Sequence, residues 1–175
     1  MEKVFAYDFA TNVIPGTKAS EEVGYWRDVG TIKAYFDAHM DLLGKKPVFE
    51  LDNPLWPIYP SRHDVPGSKI LRADIRNSLI SEGVTIYNAK IKNSVIRSGV
   101  MIEDNVSIED CIIMERVLLR RGCCLRKVII DKLNMLEEGE QFGFDPDKDR
   151  FRCHLDDSGI AIIPRKGKPI KGIHI

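Results

Sequence analysis

Leu79-Ile80-Ser81-Glu82-Gly83-Val84-Thr85-Ile86 lies in register over Val95-Ile96-Arg97-Ser98-Gly99-Val100-Met101-Ile102. It lies again over Ile112-Ile113-Met114-Glu115-Arg116-Val117-Leu118-Leu119 and over Val128-Ile129-Ile130-Asp131-Lys132-Leu133-Asn134-Met135, with starting positions 16, 17 and 16 residues apart. Apolar residues recur every five or six positions: Val84, Val100, Val117 and Leu133, each followed two residues later by Ile86, Ile102, Leu119 and Met135. An amphipathic helix repeats every 3.6 residues and a half-buried strand every two, so neither gives this pattern. Short strands separated by sharp turns, three to a coil, do give it, which is the hexapeptide type of parallel β-helix. Four coils, the last incomplete, stand near the minimum of about three repeats. The stack is therefore expected to lean on another domain or subunit.

Composition narrows the field. The chain has 175 residues with 26 Lys plus Arg against 26 Asp plus Glu, so no charge excess argues for nucleic acid or a membrane surface. At 43% hydrophobic residues a packed core is expected. No apolar run approaches the roughly 20 residues that span a bilayer, and no basic-then-apolar leader opens the sequence, which predicts a cytoplasmic protein. Cys111, Cys123, Cys124 and Cys153 form neither a CxxC pair nor a secreted disulfide pattern, and read as free thiols. Cys123 and Cys124, as strand neighbours, are expected to face opposite ways.

Ahead of the repeat, Val4-Phe5-Ala6-Tyr7-Asp8-Phe9 alternates weakly and predicts a strand, ended by the turn at Pro15-Gly16. Ile32, Tyr35, Phe36, Met40 and Leu43 share one helical face, with Thr31 as cap and Gly44 as stop. Asp28 precedes that helix in a glycine-flanked turn. It can bond local backbone N–H groups, as Asp commonly does in turns, or project as a metal ligand beside Trp26, a flat surface for a sugar. One carboxylate is not a magnesium site, since hard cations need several oxygens.

Five prolines between Pro47 and Pro66, interleaved with Leu51, Leu55, Trp56, Ile58 and Tyr59, predict a packed linker. After the repeat, Phe151-Arg152-Cys153-His154-Leu155 and Ile160-Ala161-Ile162-Ile163 predict a hairpin that caps the stack. Hexapeptide acyltransferases and zinc hydratases rely on histidine, and residues 79–135 contain none; His39, His63, His154 and His174 all lie elsewhere. Catalysis by the coils themselves is thus disfavoured. Arg116, Arg120, Arg121, Arg126, Lys127 and Lys132 cluster within seventeen residues, and Arg165, Lys166, Lys168 and Lys171 make the tail basic. These cations suit solvated faces or, alternatively, phosphate groups.

The ordered series Tyr25-Trp26-Arg27-Asp28-Val29-Gly30-Thr31, Ala34-Tyr35, Asp41-Leu42, Trp56-Pro57-Ile58, Asn77-Ser78-Leu79-Ile80-Ser81 and Val128-Ile129-Ile130-Asp131 resembles the C-terminal part of bacterial glucose-1-phosphate adenylyltransferase, also called ADP-glucose pyrophosphorylase. The resemblance runs from about residue 4 to residue 165. It implies a mainly β fold, a left-handed parallel β-helix preceded by an α/β remnant of a nucleotidyltransferase domain. The corresponding divisions are 1–44 for the remnant, 45–76 for the linker and 77–175 for the β-helix with its capping hairpin. The family converts ATP and glucose 1-phosphate to ADP-glucose and pyrophosphate on the way to glycogen or starch, and assembles as tetramers. The resemblance makes Asp28 one of two magnesium carboxylates, puts Trp26 near the glucosyl site, and assigns Lys132 and Arg165 to effector binding. Lysine in place of the family's frequent arginine at 132 keeps the charge and loses the bidentate fork.

The family's glycine-rich ATP loop and its other metal aspartate belong to an N-terminal domain that this sequence does not include. The expectation is therefore an inactive chain whose partners are that catalytic domain or a full-length subunit, in a homo-oligomer, with ATP and glucose 1-phosphate bound only by the complete enzyme. A non-catalytic regulatory or scaffold β-helix subunit is the alternative.

Overall fold

The computed structural model describes residues 3–59 and 65–165. His63, His174, Lys166, Lys168 and Lys171 lie outside them. The chain opens with an extended arm and a 3-10 turn at Phe9–Thr11, then reaches helix α1, Ile32–Met40. The coils follow. Coil one holds β1 (Lys69–Leu71), β2 (Asp74–Arg76) and β3 (Leu79–Ile80); coil two holds β4 (Thr85–Tyr87), β5 (Lys90–Lys92) and β6 (Val95–Ile96). Coil three holds β7 (Met101–Ile102), β8 (Ser107–Glu109) and β9 (Ile112–Ile113); coil four holds β10 (Leu118–Leu119), β11 (Cys124–Arg126) and β12 (Val128–Ile130). Coil five has β13 (Met135–Leu136) and β14 (Gln141–Phe142), after which a short helix α2 (Pro146–Asp149) and the hairpin β15 (His154–Leu155) and β16 (Ala161–Ile163) close the end.

Strands of successive coils pair in parallel and form three sheets: β1-β4-β7-β10-β13, β2-β5-β8-β11-β14 and β3-β6-β9-β12-β16, with β15 antiparallel at the edge of the third. Strands of successive coils thus stack one inward apolar residue over another, buried from coil two onward. Ile70, Ile86, Ile102, Leu119 and Leu136 stack on one inner wall, and Ile75, Ile91, Ile108, Leu125 and Phe142 on the next. Ile80, Ile96, Ile113, Ile130 and Ile163 complete the third. Full burial of each aliphatic side chain contributes roughly 1.5–3 kcal/mol gross, opposed by the ordering of the backbone.

Tight corners require left-handed backbone, and the sequence supplies residues that tolerate it. Asn77, Asn93 and Asp110 sit at φ 44°, 46° and 52° along one corner. Their side chains form a ladder, Asn77 Nδ2 donating to Asn93 Oδ1 at 2.8 Å and Asn93 Nδ2 to Asp110 Oδ1 at 3.2 Å. Short polar side chains therefore serve both the turn and the stacking.

The observed register corrects the sequence reading in two ways. The solenoid begins at Lys69, ahead of residue 77, and has five coils where the repeat alone suggests four. The fourth repeat is also shifted by one: Ile129, not Val128, pairs with Ile112. Leu133 then occupies a left-handed corner at φ 60°, and the inward site belongs to buried Asn134. The spacings are 16, 17 and 17.

Two other expectations are corrected. Residues 4–9 form no strand among the described residues, since alternation makes a strand only where a second strand pairs with it along a ladder; Val4, Phe5 and Tyr7 are exposed. Helix α1 ends at Met40 with Asp41 as its C-cap, and Gly44, at φ 100°, turns the chain three residues later. Thr31 caps the helix as expected, its Oγ1 accepting from Ala34 N at 3.1 Å.

Helix α1 covers the third sheet. Phe36 is buried with Ile112, Ile129 and Ile160, and Ile32, Tyr35 and Met40 pack around them. Outward residues of that sheet are consequently apolar, unlike the salt-bridged outer face of the second, where Lys92 and Arg126 both pair with Glu109. His39, on α1, has Nδ1 2.9 Å from Tyr35 O, and burial holds its pKa below the ordinary value. A depressed folded-state value means that protonation favours unfolding. Stability from the neutral ring is present above the unfolded value of about 6.5 and lost as pH falls through the lower folded value. Melting curves between pH 7 and pH 5 should therefore show a decline that His39→Gln flattens.

Candidate functional site

The strip leading into α1 alternates. Tyr25 and Arg27 turn inward and Trp26 and Asp28 outward, which puts the latter two on one exposed side. Tyr25 stacks on Phe49 of the linker, centroids 4.7 Å apart, and the Arg27 guanidinium lies 4.4 Å from the Tyr25 ring centroid. Arg27 also pairs with Glu22 at 2.7 Å and Asp41 at 3.0 Å. This bonding raises its pKa and holds the Glu22 carboxyl below the usual range. The inward pair thereby anchors the strip, and Trp26, 67% exposed, projects from it.

Asp28 Oδ1 accepts from Gly30 N at 3.1 Å, a local turn bond. A cavity of about 390 Å³ lies beside the strip, lined by Val13, Ile14, Tyr25, Phe49 and Trp56 with Glu21 and Glu50 at its polar edge. Neither Trp26 nor Asp28 lines it. Among the described residues no three His, Cys, Asp or Glu side chains converge on a point where a metal ion could sit. Asp28 therefore offers part of one carboxylate, fewer oxygens than a hard cation requires.

Lys132 and Arg165 are 33 residues apart in sequence, yet the structure joins them. Both backbone N–H groups donate to the Asp131 carboxylate, Lys132 N to Oδ1 at 2.7 Å and Arg165 N to Oδ2 at 3.3 Å. The parallel pairing of β12 with β16 brings this about by laying residue 163 beside residue 130. Spacing offers no hint of it. The observed register puts Asn134 where the earlier coils have Val84, Val100 and Val117, and a buried amide there needs partners.

The six-cation cluster, by contrast, disperses. A coil is 16 or 17 residues long, so seventeen consecutive residues encircle the stack. Arg120 and Arg121 lie at the corner between the first and second sheets, Arg126 and Lys127 at the next, and Arg116 and Lys132 at the third. Arg120 pairs with Glu137 at 3.0 Å and Arg126 with Glu109 at 3.5 Å, while Lys127 Nζ donates to Ser158 O at 2.5 Å. The six cations are thus divided among three corners, with Arg120, Arg126 and Lys127 engaged at the first two.

Two of the thiols are inert by environment. Burial pushes Cys111 up to about 12 and Cys123 up to about 11, so neither supplies a thiolate near neutrality. Cys123 faces inward and Cys124 outward, as strand alternation requires. No helix among the described residues is long and apolar enough to cross a membrane.

Comparison with known proteins adds the family. The glucose-1-phosphate adenylyltransferase of Thermodesulfovibrio yellowstonii is 57% identical over 166 residues, 95% of this chain and 40% of that protein. Those of Photobacterium profundum and Corynebacterium jeikeium are 39% and 37% identical, over 95% and 92% of this chain and 42% and 40% of their own lengths. The chain spans about 40% of the length of these relatives. A family model described as GlmU-like, C-terminal hexapeptide matches residues 61–163, which take in every strand of the coils and their closing hairpin. With the three-walled stack and its left-handed corners already established, that match settles the kinship of the solenoid: the chain belongs to the GlmU-like, C-terminal hexapeptide family.

Proposed function

We propose that this chain is the C-terminal part of a glucose-1-phosphate adenylyltransferase, contributing subunit contacts, an effector-responsive corner and one edge of the active site, and that alone it transfers nothing. The observation that carries the reading is 57% identity across 95% of this chain to a protein of that activity of which it spans 40%. Residues 1–44 act as the end of the nucleotidyltransferase domain, 45–68 as the linker and the coils from Lys69 onward as the β-helical unit. Exposed Val4, Phe5, Tyr7, Trp26, Trp56 and Tyr59 support a neighbouring domain, since large apolar side chains left exposed in this number are what such a neighbour buries. In the complete enzyme ATP and glucose 1-phosphate react to give ADP-glucose and pyrophosphate. Asp28 would there hold magnesium together with oxygens from the catalytic domain, the ion supplying charge neutralisation for the phosphates of ATP as its adenylyl group is transferred, and Trp26 would border the glucosyl unit. Lys132 and Arg165 receive a phosphate-bearing effector.

A homo-oligomer is supported by the outer face of the first sheet. Met101, 46% exposed, lies in register with Leu118 and Met135, an apolar stripe beside otherwise charged corners. The same stripe favours the second reading, a scaffold subunit that binds an intact catalytic chain.

One experiment separates these. The chain is assayed for ADP-glucose formation alone, and then after co-expression with the portion of the T. yellowstonii relative that it does not cover. No product alone and product on co-expression is the expected result. Absence of product in both, with the intact relative active, counts against the proposal. A defined complex with the intact relative in sedimentation, without complementation, favours the scaffold.

A further inference from the structure

The corner after coil four departs from the repeat at two positions. The inward site filled elsewhere by Val84, Val100 and Val117 holds Asn134, 2% exposed, whose Nδ2 donates to Asp131 O at 2.9 Å, Pro164 O at 3.1 Å and Ile163 O at 3.3 Å. The position of Ser81, Arg97 and Met114, each continuing the ladder through its own N–H, is taken by Asp131, whose N donates to Ile163 O at 3.0 Å. Its carboxylate then receives the N–H groups of Lys132 and Arg165. At the equivalent corners of the earlier coils the inward site is valine and no aspartate stands at the position of Asp131. Both substitutions serve the segment that leaves the solenoid.

Two cations flank this carboxylate. Lys132 and Arg165 are exposed, and among the described residues neither side chain has an ion-pair partner, whereas Arg97, Arg120 and Arg126 are each paired with a glutamate. A carboxylate beside an anion site opposes binding through its charge. Its value here must lie in geometry. We infer that Asp131 is a positioning residue: by accepting from both N–H groups it fixes two backbones 33 residues apart, so that one ammonium and one guanidinium meet the same phosphate-bearing ligand. Lys132 follows β12 and Arg165 follows β16, and the guanidinium adds the bidentate geometry that lysine at 132 lacks. This inference rests on the effector-corner reading proposed above.

The test is calorimetric titration of the 175-residue chain with inorganic pyrophosphate at low ionic strength. Lys132→Ala and Arg165→Ala should each weaken binding about 10-fold, the loss expected for one charge-assisted contact. Asp131→Asn should weaken it about fivefold even though it removes a repelling charge, because Asn offers one acceptor oxygen where the carboxylate offers two. Asp131→Ser provides a second variant in case the first does not fold. Asn134→Ala is the structural control, expected to lower Tm while leaving Kd within about twofold, since it loosens the exit segment without touching either N–H bond. Unchanged or tighter binding by the Asp131 variants, with both cation variants weakened, overturns the positioning role and leaves the corner reading intact. Equal weakening by Asn134→Ala overturns it too, as general loosening would then suffice. No binding by the parent chain, or no effect of either cation variant, overturns the corner reading and the inference together.

Discussion

Gly143→Ala should destabilise the solenoid by about 3–5 kcal/mol, against about 1–2 kcal/mol for Gly139→Ala. Both glycines have left-handed backbone, at φ 84° and 72°, so the conformational strain is shared. Their surroundings differ. A Cβ on Gly139 would meet nothing within 4 Å, whereas on Gly143 it would fall 1.6 Å from Arg126 O and 2.7 Å from Arg126 C. Those are backbone atoms of the coil above, held by strand pairing, so relief requires moving a coil. Gly143 N also donates to the buried carboxylate of Asp149 at 2.8 Å, which ties the end of coil five to the capping helix. Shifting this residue therefore disturbs the cap as well. For a chain of this size each kcal/mol lowers Tm by roughly 2–4 °C. Parallel thermal melts should separate the two variants by at least about 2 °C; coincident melts would refute the steric argument.

Phe36→Ala should release α1 from the third sheet at a local loss of about 3–5 kcal/mol, the usual range for a buried phenylalanine. Phe36 is the buried residue of a nine-residue helix, and its ring fills the space over Ile112, Ile129 and Ile160. The helix is too short to persist on propensity alone. Hydrogen exchange read by residue should show protection lost across Ile32–Met40 while β4, β7 and β10 on the far wall keep theirs. Loss throughout the coils would mean instead that helix and solenoid melt as one unit. The outcome bears on the proposed function, because Trp26 and Asp28 are oriented by the strip that Thr31 joins to this helix.

Much of this architecture could be read in advance. Ile32, Tyr35, Phe36 and Met40 announce their face because a capped helix with 3.6-residue periodicity has one way to bury them, and Leu43 falls outside because the helix stops at Met40. The inner walls were equally legible, since isoleucine over isoleucine is what parallel stacking selects. The fourth register was not. Val128 and Leu133 look like repeat residues, and only the three-dimensional path reveals that Leu133 is spent on a corner and Asn134 turned inward to answer carbonyls of residues 163 and 164. The arm misled for a related reason: Val4-Phe5-Ala6-Tyr7 alternates in the same way whether or not a neighbouring strand is present. At the candidate site, Trp26 and Asp28 were legible as near neighbours. The meeting of Lys132 with Arg165 depends on strand pairing across a hairpin, which no local spacing encodes.

Coil length has a statistical signature. From β1 to β4 and from β4 to β7 the offset between stacked residues is 16, and from β7 onward it is 17, the added residue always falling between the first and second sheets. Each coil touches chiefly the coils above and below it, as in other solenoids. Pairs of substitutions should therefore be non-additive when separated by one coil and close to additive when separated by two. In a comprehensive double-substitution library, epistasis would condense into a narrow diagonal band that steps outward by one residue at coil three, so that growth or fluorescence counts alone would trace the winding of the chain.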